Sequence, residues 1–127
     1  MLRAANLERG LRILDRPQLG KTHRLRIETV LMPAANGWAL LGSGAPANVQ
    51  LPAPFGGPFC NRFLLDGSQM LALANGSFSG GQATVNVPVP TDSSLIGARY
   101  YWQAVTLHTA TSRLCMTNSS MTYVERN

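Results

Sequence analysis

From Thr22 onward the chain alternates. Leu25, Ile27, Thr29 and Leu31 fall on one parity, with Arg24, Arg26 and Glu28 on the other; this is the pattern of a strand with one buried face. Pro33 ends it, Asn36-Gly37 is a turn dipeptide, and Trp38-Ala39-Leu40-Leu41 predicts a second strand. Residues 42–59 hold Gly and Pro too densely for more than one short strand at Val49–Leu51. Strands follow at Cys60–Leu65 and Met70–Ala74, closed by Asp66-Gly67 and Asn75-Gly76. The clearest alternation places Ala83, Val85, Val87 and Val89 on one face, and Pro88 and Pro90 put its far end at a sheet edge. Ser94-Leu95-Ile96-Gly97 predicts a single turn, Arg99–His108 a long strand and Met121–Glu125 the last. Seven or eight short strands separated by turn signals predict an all-β fold, a β-sandwich of mostly antiparallel strands.

The first sixteen residues do not follow that alternation. Leu2, Leu7, Leu11 and Leu14 suit a short helix, interrupted by Gly10 and stopped by Pro17. The predicted organisation is therefore an N-terminal extension, 1–16, and a sandwich domain, 17–127. Arg3, Glu8, Arg9 and Arg12 break every apolar run before Leu14, so this stretch is not expected to act as a signal peptide.

Composition narrows the class. Charged residues make up 13% of the 127 and hydrophobic ones 45%, too little charge for a helical bundle and too much apolar content for a disordered chain. The net charge is +5, and residues 1–30 hold seven of the eleven basic residues. A basic arm on a neutral body can neutralise phosphates, but no stacking cluster or reading motif accompanies it, so nucleic acid is not the expected partner. Cys60 and Cys115 lack the spacing of a zinc site, which leaves either one disulfide or two buried thiols.

Little in the chain points to catalysis. Gly42-Ser43-Gly44 is too short for a nucleophile elbow, Asp66 and Asp92 stand where Asx turns explain them, and no carboxylate cluster predicts a metal. The expectation is no enzyme, no cofactor and no metal. Gln103 stands among Tyr101, Val105 and Leu107, where a buried amide would tie neighbouring backbone to the sheet. If Tyr101 and Gln103 face inward, Tyr100 and Trp102 form an outward aromatic pair, available to another subunit or to a sugar ring. Asn75-Gly-Ser77 and Asn118-Ser-Ser120 match the glycosylation acceptor pattern and are expected to serve turn geometry instead.

The order Pro17-x-Leu19-Gly20, Ala39-Leu40-Leu41-Gly42, Leu51-Pro52, Cys60 before Asp66, Val85–Pro90, Ser94-Leu95-Ile96-Gly97, Tyr101-x-Gln103 and Thr117-Asn118-Ser119 resembles an uncharacterised C-terminal β-domain. That domain occurs in secreted and surface proteins of planctomycetes and deltaproteobacteria. The chain departs from it with Phe59 before the cysteine and His108 in place of an acidic residue, and Cys115 lies outside the shared pattern. The resemblance implies an extracellular or cell-surface β-sandwich without catalytic residues. The leading expectation is a structural or assembly module that self-associates, as a surface or filament subunit or as part of a parent protein, through an apolar segment carrying Leu7, Leu11, Ile13 and Leu14. The alternatives are a carbohydrate-binding module using Tyr100 and Trp102, and a basic-armed coat-like protein that binds nucleic acid.

Overall fold

The computed structural model describes residues 10–28, 37–51, 62–78, 82–108 and 113–126. These form nine strands: β1 (Leu11–Ile13), β2 (Thr22–Glu28), β3 (Gly37–Ser43), β4 (Pro46–Gln50), β5 (Arg62–Leu65), β6 (Leu71–Ser77), β7 (Gln82–Pro88), β8 (Arg99–His108) and β9 (Arg113–Tyr123). They pair antiparallel in three sheets: a three-stranded sheet β1-β2-β7, a four-stranded sheet β6-β3-β8-β9, and the ribbon β4-β5. One parallel bridge, Gln18 to Glu125, joins the segment after β1 to the end of the chain. The chain is all-β.

The alternation in β2 and β7 packs the three-stranded sheet onto the four-stranded one. Leu25 and Ile27 of β2 and Val85 of β7 form one core with Leu40 of β3 and with Trp102 and Ala104 of β8. Leu11 of β1 belongs to the same core, and Ile13 packs against it.

This corrects the expectation of a separable extension ending at residue 16. Leu11 pairs with Ile27 and Ile13 with Leu25, so residues 10–16 are a strand and its exit, integral to the sheet. The short segment becomes β rather than helical because the edge of β2 offers unpaired backbone groups that three extended residues satisfy at once. Leu14 continues the pairing by donating its N–H to the Arg24 carbonyl at 3.0 Å. Leu7 lies outside the described residues.

A second correction concerns Asn75-Gly76, which does not end its strand. β6 runs through to Ser77, with Asn75 opposite Ala39 and Gly76 opposite Trp38. A Cβ at Gly76 would stand 2.9 Å from the Trp38 ring. The glycine leaves room for the indole to approach the strand and does not turn it. Neither acceptor-pattern asparagine serves a turn, since Asn118 lies within β9.

Candidate functional site

The middle of the long β8 strand, from Trp102 to Ala104, is buried on both faces. Trp102 is only 4% exposed, and its indole N–H donates to Thr122 Oγ1 at 2.7 Å. Tyr100 is half-buried, packs against the core and lies 5.9 Å from Trp102, centroid to centroid. The aromatic pair expected on the outside thus faces the three-stranded sheet, and it offers no exposed platform to a sugar. Parity misleads here because β8 is an inner strand of a middle layer. Gln103 points to the other side, where β5 packs against β8 and β9. Its Nε2 donates to the Arg62 and Thr117 carbonyls at 3.0 and 2.8 Å, and its Oε1 accepts the Leu64 N–H at 3.0 Å.

The bond to Thr117 marks a bulge. Between the Gln103–Ser119 and Val105–Met116 pairs, one residue of β8, Ala104, faces two of β9, Thr117 and Asn118. Thr117 Oγ1 accepts the Ala104 N–H at 3.0 Å. Asn118, displaced by the bulge, reaches the other sheet. Its Oδ1 accepts the Leu11 N–H at 3.0 Å, and its Nδ2 donates to the Leu11 carbonyl at 3.1 Å. The β1/β9 side of the sandwich is thereby closed.

Among the described residues the opposite side is open. Three strands there face four, and β6 carries exposed leucines, Leu71 at 66% and Leu73 at 42%. Leu73 falls in the register shift between Leu40 and Leu41. Both leucines line an apolar cavity of about 270 Å³, with Val87 and Pro88 of β7, His23 of β2, Gly42 of β3, and Tyr100 and Trp102 of β8. β6 contains no charged residue, and neither does β7, the outermost strand of its sheet. Unguarded strand edges of this kind are templates for pairing, which most proteins blunt with charge or proline. Only Pro88, at the end of β7, does so here.

His23 forms part of the cavity wall and is fully buried. Its ring tilts 55° to that of Trp102 with centroids 5.4 Å apart. Neither ring nitrogen has a hydrogen-bond partner. Nδ1 faces Asp15 Oδ1 at 3.7 Å, beyond hydrogen-bonding distance. Burial holds the imidazole below its ordinary pKa of 6.5, against the opposing pull of Asp15. The backbone N–H and guanidinium of Arg24 hold the Asp15 carboxyl below its own ordinary value.

Among the described basic residues of the N-terminal region, four are paired. Arg12 and Arg26 meet Glu28 at 3.8 and 3.7 Å, Arg24 meets Asp15 at 2.7 Å, and Arg16 meets Glu125 at 3.6 Å. Those carboxylates offset much of the charge a phosphate backbone would need. Asp66 and Asp92 accept the Ser68 and Ser94 N–H groups at 3.0 and 2.9 Å in short 3-10 turns. Among the described residues no His, Cys, Asp and Glu side chains gather into a metal site, and no helix is long and apolar enough to cross a membrane. Cys115 is fully buried on β9 and is not a free thiol; Cys60 lies outside the described residues.

Alternation did not reveal the open side or the role of His23. The signals available were the charge-free run Leu71–Ser77 and the fact that His23 shares the parity of Leu25 and Ile27. No protein-family model, curated protein or solved structure matches this chain.

Proposed function

We propose that this chain is a non-enzymatic assembly module whose sandwich is completed by an extended strand from a second copy. The observation that carries this reading is the three-against-four mismatch of the sheets, which among the described residues leaves Leu71 and Leu73 of β6 exposed and β7 without a strand on its outer edge. A strand added to β7 would satisfy its outer backbone groups and remove both leucines from water, the mode of recognition called β-strand addition. The absence of charge on β6 and β7 suits an uncharged or weakly charged donor.

Leu11 and Ile13 are engaged within their own sheet, so the donor is residues 1–9, which carry Leu2 and Leu7. Nine extended residues reach roughly 30 Å, enough to run beside the seven of β7. The setting is the cell surface or its exterior, the compartment in which a Cys60–Cys115 bridge would form. Removing residues 1–9 tests the proposal. The shortened protein is expected to keep its thermal midpoint and to remain monomeric in light scattering and electron microscopy. Assembly equal to that of the full chain would refute it.

A further inference from the structure

The face of the four-stranded sheet turned away from the core carries aromatic residues of its own. On β8 that face holds Arg99, Tyr101 and Gln103, and their partners on β9 are Tyr123, Met121 and Ser119. The ribbon crosses the face at Gln103 and leaves a ledge beyond it. Met121 is 41% exposed there and Tyr123 45%, while Tyr101 beside Met121 is half-buried. The Arg99 guanidinium lies over the Tyr123 ring, 5.3 Å from its centre.

The ledge carries charge of one sign. Arg99 is exposed and pairs with no carboxylate among the described residues, whereas Arg12, Arg16, Arg24 and Arg26 each meet one. Neither β8 nor β9 contains an acidic residue. A cation at the rim of an aromatic surface complements a ligand of the opposite layout, with a flat apolar face and a carboxylate. Tyrosine offers such contact area at small cost in side-chain freedom, and arginine grips a carboxylate through two parallel N–H donors. The two cross-strand pairs cover roughly 5 by 7 Å of sheet, the footprint of one sugar ring. A nucleic acid would need several cations to offset its dense charge, and the two strands hold one arginine at this end.

We infer that this ledge binds a uronic-acid polysaccharide, one ring lying on Tyr101, Met121 and Tyr123 with its carboxylate on Arg99. The ledge and the cavity lie on opposite faces of the sheet, and the inference does not rest on strand exchange.

Hexasaccharides of polygalacturonate, alginate and hyaluronate test it by calorimetry on the full chain. Each is compared with its methyl ester, which keeps the sugar ring and removes the charge. At least one acid form is expected to bind, about fivefold more tightly than its ester, the upper range for an exposed ion pair. Arg99→Gln should erase that preference, and Tyr123→Ala should weaken both forms about tenfold. Both side chains are exposed, so neither change should unfold the protein. Polyglutamate, which has the charge without the ring, should not bind. The inference is overturned if none of the three sugars binds, if acid and ester bind equally, or if the preference survives Arg99→Gln. Undiminished binding by Tyr123→Ala, or polyglutamate binding as tightly as the sugars, would also overturn it.

Discussion

The side-chain amide of Asn118 takes both backbone polar groups of Leu11, accepting from its N–H at 3.0 Å and donating to its carbonyl at 3.1 Å. An asparagine here stands in for a neighbouring strand. β1 is bonded to β2 on one edge and to a single side chain on the other, and this clasp closes one side of the sandwich. Asn118→Ala is expected to destabilise the fold by about 2 kcal/mol, because two partly buried backbone groups lose their partner together. Asn118→Asp keeps the acceptor, loses the donor and is expected to fall between. Urea midpoints of the three proteins at neutral pH check this order. A glycan on Asn118 Nδ2 would break the same clasp, so glycosidase treatment of secreted protein should find sugar on Asn75 at most.

Gln103 joins the ribbon β4-β5 to the middle layer through two hydrogen bonds, to the Arg62 carbonyl and the Leu64 N–H, and holds the Thr117 carbonyl of β9 with a third. Gln103→Leu preserves bulk but strands the Leu64 N–H and two carbonyls, and should cost about 3 kcal/mol. Hydrogen exchange at Leu64 should accelerate in the variant beyond what the global loss of stability explains. An unchanged rate would mean that β5 is held by its apolar contacts alone.

Stability should fall as the pH drops below about 6.5, the ordinary value from which His23 is displaced. The direction follows from the linkage: the folded ring has the lower pKa, so over that interval the unfolded chain binds the proton and the native protein does not. The loss continues until the native imidazole itself titrates. Asp15 adds nothing in this window, because its carboxyl is ionised in the native protein from below its ordinary 3.8 upward. Comparing urea midpoints at pH 7.5 and 5.5 in the natural protein and in His23→Phe isolates the contribution. The variant should show the smaller drop.

Local alternation was enough to place β2, β3, β7 and β8 and to identify the fold class, because period-two burial is imposed wherever one face of a strand meets a core. It misassigned Tyr100 and Trp102 because the rule of one face in and one face out presumes two layers. β8 is covered by the three-stranded sheet on one side and by β5 on the other. It also missed β1, since three residues are too few to show a period; their strand character comes from β2 and Asn118, more than a hundred residues away in the second case. The open side could not be read at all. Which sheet has fewer strands is a property of topology, and no single segment encodes it.

That open side is the centre of the account, and the double variant Leu71→Lys/Leu73→Lys probes it most directly. Both side chains are already solvent-exposed, so the change should leave the thermal midpoint within a few degrees while placing two charges where an added strand must lie. Light scattering across a concentration series is the measurement. The account predicts that the natural protein grows into larger species as concentration rises and that the double variant stays monomeric. A natural protein that is monomeric throughout, or a variant that assembles equally well, would contradict it.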